Sequence, residues 1–176
     1  MLEDRLLLWQ LKRGDPDALR RLYEKYRHDL LGLAVTLSQD KAAAEDAVHD
    51  AFVSFVRLAP GLRLHTSLRS YLLSSVANRV RSLNRAKVRP APVANDAGEA
   101  SPPEAAALQN ERTRLIEQAL AQLPSEQREV VILHLQGEMA FRDIAQAQEA
   151  SINTIQSRYR YGLGKLRSLL DGKVTL

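Results

Sequence analysis

LPSEQREVVILHLQGEMAFRDIAQAQEASINTIQSRYRYGLGKLRSLL, residues 123–170, is the stretch whose reading decides the fold. Leu123-Pro124 breaks the chain, Ser125 is placed to cap a helix over 126–136, and Gly137 stops it. A short helix over 141–147 carries Ile144 and Ala145. A tight turn at 148–150 follows, and Ser151 caps a long helix running to about residue 170. A short helix, a turn of about three residues and a longer basic helix have helix-turn-helix spacing. The second helix of such a pair fits the DNA major groove, where its N-terminal residues reach base edges. Ile144, Ala145, Ile152, Ile155 and Leu163 are expected to close the small core. Asn153, Thr154, Gln156, Ser157, Arg158 and Arg160 are then the outward residues. Arg reads guanine or phosphate, and Asn and Gln pair with adenine. Gly162 and Gly164 each cost a helix roughly 1 kcal/mol against Ala, so the helix is expected to fray after Tyr161.

Upstream, apolar residues recur at helical spacing. A short helix is expected near 3–13. Asp15-Pro16 reads as an N-cap followed by the first helical position. Leu19, Leu22, Tyr23, Tyr26, Leu30, Leu33, Ala34 and Leu37 mark one face of the helix that follows. Asp40 is placed to cap a third helix, with Ala43, Ala44, Ala47, Val48, Ala51, Phe52, Phe55 and Val56 inward, and Pro60-Gly61 ends it. After a loop at 61–67, Thr66 or Ser67 caps a fourth helix burying Leu68, Tyr71, Leu72, Val76, Val80 and Leu83. Residues 89–103, with four Pro and one Gly among small residues, have no periodic apolar face and read as a linker. A further helix occupies 104–122. No strand-like alternation occurs. The expected fold is all-α: two small helical domains, 1–88 and 104–176, joined by a Pro/Ala-rich linker, the second one a helix-turn-helix.

The charge is distributed unevenly. The 176 residues carry 25 Lys+Arg and 21 Asp+Glu, a net charge of +4. Residues 1–50 have net charge −2, 51–90 have +8 with no acid at all, 91–130 have −4 and 131–176 have +2. An acid-free tract of forty residues is an electrostatic footprint for a polyanion. The absence of Cys rules out a disulfide framework, Cys-ligated zinc and a catalytic thiol. There is no P-loop and no Gly-x-Ser-x-Gly. Asp46-x-x-His49 lacks the second such motif that a di-metal site requires. No catalysis and no cofactor are expected. No apolar run approaches a membrane span, and Glu3, Asp4 and Arg5 among the first leucines are unlike a signal peptide, so a soluble intracellular protein is expected.

Several motifs together resemble a known family. Leu123-Pro124, Gln127-Arg128-Glu129-Val130, Phe141-x-x-Ile144-Ala145 and Ser151-x-x-Thr154-Ile155-x-Ser157-Arg158 are similar to region 4 of bacterial sigma factors. GDPDALRRLYEKYRHDLL, AEDAVHDAFVSFV and SLRSYLLSSVANRVRSLNR fall in the order of region 2 of the same family. With no domain between the two, the layout resembles the extracytoplasmic-function (ECF) group, the smallest factors of the sigma-70 family. The resemblance implies a cytoplasmic bacterial protein that initiates transcription without being an enzyme. Region 2 would dock on the β′ clamp helices of core RNA polymerase and melt the -10 element of promoter DNA. Region 4 would contact the β-flap and read the -35 element. Glu45, Asp46, His49 and Asp50 would then face polymerase. Arg63, His65, Arg69, Tyr71, Asn78, Arg79 and Arg81 would hold the melted strand, where cations follow phosphates and planar groups stack on bases. The helical phase of Tyr71 also allows a core position. An anti-sigma factor is a further partner such proteins take.

The chain departs from the family at several places. Glu149 stands where the turn usually has Gly, at a cost of about 1 kcal/mol if that residue is left-handed. Ala140 replaces a Ser or Thr cap worth about 1 kcal/mol. His49 and Ser82 replace a common Gln and Asp. Two other readings stay open on the sequence alone. One is an autonomous helix-turn-helix regulator that binds DNA without polymerase. The other is a polymerase or anti-sigma interaction module with weakened DNA reading, which Glu149 suggests.

Overall fold

The structure is a computed structural model that describes residues 2–64, 66–87 and 104–171. The described residues form eight α-helices: α1 (Leu2–Lys12), α2 (Pro16–Ser38), α3 (Lys41–Leu58), α4 (Leu68–Lys87), α5 (Glu104–Ala121), α6 (Ser125–Leu135), α7 (Phe141–Ala147) and α8 (Ile152–Asp171). A single 3-10 turn, Ala59–Gly61, follows α3, and no strand occurs among the described residues. The all-helical expectation therefore holds. The linker expected at 89–103 lies outside the described residues, as does His65.

Local chemistry sets the helix starts. The Asp15 carboxylate accepts from Asp17 N at 2.9 Å ahead of Pro16, and Asp40 accepts from Ala43 N at 3.0 Å. Ser67 rather than Thr66 caps α4, accepting from Ser70 N at 3.0 Å. Each such cap stabilises its helix by about 1 kcal/mol. The start of α6 differs from expectation. Pro124 occupies the cap position, extended at φ −52° and ψ 139° with no side-chain bond, and Ser125 is already helical. The corner is held from the other side instead. The Arg128 guanidinium folds back onto the carbonyls of Ala121 and Leu123, at 2.8 and 3.1 Å. Burial lowers the pKa of Arg128 from its ordinary value.

α2, α3 and α4 pack round Leu22, Leu30, Leu33, Phe55, Leu72 and Val76, all buried. Full burial of a side chain of this size contributes about 1.5–3 kcal/mol. α1 packs on α2 and on the 3-10 turn, burying Leu7, and is tied by charge. Lys25 Nζ reaches Glu3 Oε2 at 2.6 Å and Asp4 Oδ1 at 2.8 Å, and Tyr26 donates to Asp4 Oδ1 at 2.8 Å. Hydrogen bonding from Lys25 holds the Glu3 carboxyl below its usual range. Burial raises the Asp4 carboxyl, but its bonds to Lys25 and Tyr26 outweigh that and leave it lowered. Burial, then the bond to Asp4, pushes Tyr26 up to about 12. At the other end of α1, Lys12 Nζ donates to Leu62 O at 2.8 Å.

The second unit packs α6 and α7 on α8 through Val131, Leu133, Ile144, Ile155 and Leu166. Its apolar core is continuous with that of α1–α4, because α2 meets α6 and α4 meets α7. The sequence treats the halves as separate. The fold brings them into contact along a seam.

Candidate nucleic-acid and polymerase faces

The helix-turn-helix closes as its spacing predicts. Gln148 N donates to Ile144 O at 2.9 Å and Ala150 N to Ala145 O at 3.0 Å, so the turn satisfies the last carbonyls of α7. This wrapping needs a left-handed residue, and Glu149 supplies it at φ 51°. Ala140 caps α7 with no side-chain bond. Ser151 Oγ accepts from Thr154 N at 3.1 Å and starts α8. Ile144, Ala145 and Ile155 are buried and Leu163 is half-buried, as expected, but Ile152 is 45% exposed. It opens the helix, and the packed stripe begins one turn later at Ile155. Ile152 is therefore an outward residue, not a core one.

α8 does not fray after Tyr161; it continues to Asp171. Gly162 is the reason. A Cβ there would lie 2.9 Å from Val131 Cγ2 and 3.4 Å from Gln127 Cβ, so the missing side chain lets α8 settle on α6. Packing gained on α6 offsets the entropy cost of glycine in a helix. Gly164 has nothing within 4 Å of its would-be Cβ. An aromatic group that the sequence reading passed over fixes the motif from behind. The His134 ring stacks on Phe141 at 4.2 Å and meets the edge of Tyr159 at 4.8 Å. His134 Nδ1 lies 2.8 Å from Met139 O, an atom that only accepts, so Nδ1 carries the proton. The signal was the alignment of His134, Phe141 and Tyr159, which only the turn geometry brings together.

On the outer face of α8, Asn153, Thr154, Gln156 and Arg160 are exposed. The Arg160 guanidinium lies 5.4 Å from the ring of exposed Tyr161. Ser157 is half-buried. Arg158 has a different environment. Its guanidinium bonds Gln148 Oε1 at 2.8 Å and Glu126 Oε2 at 2.5 Å, and its side chain is only 24% exposed. It ties α8 to the turn and to α6.

The residues expected along the acid-free tract gather on α4 and the loop before it. Arg63, Asn78 and Arg79 are exposed. Tyr71 is half-buried, with its ring 6.0 Å from Phe55, which places it against the core. Three of the arginines already hold partners. Arg79 Nη2 lies 2.5 Å from Asp50 Oδ2, and Arg69 reaches Asp29 Oδ2 through Nε at 3.3 Å and Nη2 at 3.1 Å. Arg69 Nη1 also donates to Gly137 O. Arg81 grips Glu129 of α6 through Nε at 3.1 Å and through Nη2. On α3, Glu45, Asp46 and His49 are exposed on one outer face, while Asp50 is half-buried beside Arg79. Among the described residues no cluster of His, Asp and Glu gathers as a metal site, and no helix is long and apolar enough to cross a membrane.

Comparison with known proteins covers most of the chain. Residues 22–89 match the family model for Sigma-70 region 2, and residues 113–166 match that for Sigma-70, region 4. The RNA polymerase sigma-H factor of Pseudomonas aeruginosa is 27% identical over 169 residues, covering 89% of this chain and 88% of that one. The ECF RNA polymerase sigma factor SigM of Mycobacterium tuberculosis is 30% identical over 159 residues, covering 89% and 79%. The ECF RNA polymerase sigma-E factor of Escherichia coli is 24% identical over 186 residues, covering 98% and 95%. Among solved structures, CnrH in complex with the cytosolic domain of CnrY shares the fold, with a TM-score of 0.71 and 23% identity over 97% of this chain and 98% of that one. The sigma factor RpoE of Bartonella quintana, crystallised with the anti-sigma factor NepR, has a TM-score of 0.66 and 22% identity over 89% and 99%.

Proposed function

This chain belongs to the ECF RNA polymerase sigma factors of the sigma-70 family, and we propose from that premise how its two halves divide the work. It binds core RNA polymerase and directs promoter-specific initiation. One observation carries this reading: region 2 and region 4 stand in that order, at 22–89 and 113–166, with no third domain between. It acts in the bacterial cytoplasm, as an initiation factor and not a catalyst.

In this reading residues 1–88 form the polymerase-docking and -10 domain, and 104–176 the -35 domain, joined by 89–103. The exposed acids Glu45 and Asp46, with His49, meet the β′ clamp helices. Asp50 belongs to the same patch but also holds Arg79. Arg63, His65, Arg69, Asn78, Arg79 and Arg81 follow the phosphates of the melted strand, and Tyr71 backs them from the core side. The -35 duplex is read by the start of α8. Asn153 and Gln156 carry the donor and acceptor pair that matches adenine, and Thr154 meets either base or phosphate. Arg160 takes a phosphate, Ser157 sits at the edge, and Arg158 sets the tilt of the helix through Glu126 and Gln148. The β-flap receives region 4, and an anti-sigma factor is a partner of the same class as those of the fold relatives. Run-off transcription with purified core polymerase over a promoter library tests the reading. A promoter-specific transcript that needs both proteins is expected. Tight operator binding by the chain alone, with no transcript, would point to a self-sufficient regulator.

A further inference from the structure

Resting on that reading, we infer that Ile152 sets part of the base specificity of α8, by packing its side chain on the 5-methyl group of a thymine in the major groove. Four side chains, residues 151–154, open α8 where a helix of this kind meets base edges. Ser151 and Thr154 serve the cap: Ser151 Oγ accepts from Thr154 N at 3.1 Å and lies 2.8 Å from Thr154 Oγ1. Ile152 and Asn153 take no part in it. Ile155, one turn on, is fully buried, whereas Ile152 is 45% exposed and stands outside the core that its spacing predicts it should join. Arg158, further along the helix, is withdrawn from base reading, because Gln148 and Glu126 hold its guanidinium. The exposed side chains left at the start of α8 are therefore two amides, Asn153 and Gln156, and one branched hydrocarbon.

An isolated exposed isoleucine is common on protein surfaces. This one lies on the part of the molecule that enters DNA, beside two readers of adenine. Asn and Gln each match the donor and acceptor of adenine in the major groove, and every adenine there is paired with a thymine. The thymine 5-methyl is the one methyl group that the base pairs present in that groove. Spacing brings the groups together. Residues i and i+4 of a helix have Cβ atoms about 5–6 Å apart, which relates Ile152 to Gln156. Successive base pairs lie about 3.4 Å apart along the duplex. An amide of α8 on an adenine thus places Ile152 within one or two base pairs of it, at the depth of the base edges. Isoleucine suits a methyl contact. It has no polar atom to desolvate, and its β-branch restricts χ1, so its methyl groups are held in place before DNA arrives.

Holoenzyme reconstituted from the full chain and core polymerase first selects its promoter from a library. Each thymine of the -35 element, on either strand, is then replaced by deoxyuridine, which removes one methyl group and keeps every hydrogen-bonding group. Replacement of one such thymine is expected to weaken promoter binding about fourfold, the effect of one buried methyl. Ile152→Ala holoenzyme should bind the thymine and uracil promoters alike, and Ile152→Val should keep a preference for thymine. Thermal unfolding of the Ile152→Ala protein should match the parent, since this side chain lies outside the core. A uracil scan without effect in the parent would overturn the inference. So would a uracil effect that stays at full size in Ile152→Ala, or a selected -35 element without an A·T pair. If no promoter-specific transcript forms, the initiation reading falls by itself, and the same uracil scan on a duplex selected by the chain alone decides the Ile152 contact.

Discussion

α4 and α8 are both 20-residue helices, rich in Arg and nearly free of acid in the sequence, yet the fold treats their charges in opposite ways. Three of the four arginines of α4, Arg69, Arg79 and Arg81, are met by carboxylates from three other helices: Asp29 of α2, Asp50 of α3 and Glu129 of α6. On α8 only Arg158 is so held, and Arg160, Lys165 and Arg167 make no ion pair among the described residues. A run of like charge in a sequence is therefore not yet a field at a surface. α4 is central to its bundle and collects neighbours on several sides. α8 lies along one edge of a thinner unit and keeps a whole face outward. The helix expected to read stable duplex presents its cations ready to use. The helix expected to grip melted DNA must first exchange its partners.

The largest effect should come from striking the α4 side of this contrast. Arg79→Glu with Arg81→Glu is expected to reduce open-complex formation on the order of a hundredfold, since two charge-assisted contacts are lost. Permanganate reactivity of promoter thymines measures it, and binding to core polymerase should change far less. Normal melting would remove α4 from the DNA side altogether. Next comes the seat of α8. Gly162→Ala should destabilise the C-terminal unit by about 1–2 kcal/mol, because its Cβ must displace Val131. Gly164→Ala, in open space, should stabilise it by up to about 1 kcal/mol. Thermal unfolding of the two variants should shift in opposite directions. Smaller still is the division within α8. Arg160→Ala is expected to lower the salt slope of -35 duplex binding by about 0.9, the value for one phosphate contact. Arg158→Ala should lower it less while reducing the melting temperature. Equal slopes for both would erase the distinction drawn between a paired and an open arginine.

The smallest effect concerns pH and α1. Glu3 and Asp4 have lowered pKa values, so their contribution is full above the ordinary values of 4.5 and 3.8 and fades as pH falls through the folded ones. Tyr26 is raised from 10.0 to about 12, so its contribution is full below 10.0 and is lost as pH rises towards 12. Hydrogen exchange should show α1 loosening at both limits before α2–α4. Synchronous loss of all four helices would contradict that order.

Much of this was legible in the residues. Asp15-Pro16, Asp40 and Ser151 announce their helices because a cap is a local bond, complete within three residues. The left-handed Glu149 was legible only through the family resemblance, in which Gly usually holds that place in the turn. What escaped was whatever depends on a partner far along the chain. Ile152 reads as core by its spacing, but exposure depends on where the packed stripe starts. Gly162 reads as a helix breaker until Val131, 31 positions earlier, is seen beside it. Arg158 reads as free until Glu126 and Gln148 are placed. The pairing of Arg69 and Arg81 with the opposite unit has no local signature, since it depends on how two independently patterned halves meet.

The bond from Lys12 to the Leu62 carbonyl has a mechanical consequence. Leu62 opens the loop expected to take the melted strand, and α1 is anchored at its far end to α2 through Lys25 and Tyr26. Load applied to that loop can pass through Lys12, and through the packing of α1 on the 3-10 turn, into a helix held at both ends. Occupancy of the loop would then be felt as a change in tension at Lys12, 50 residues away along the chain.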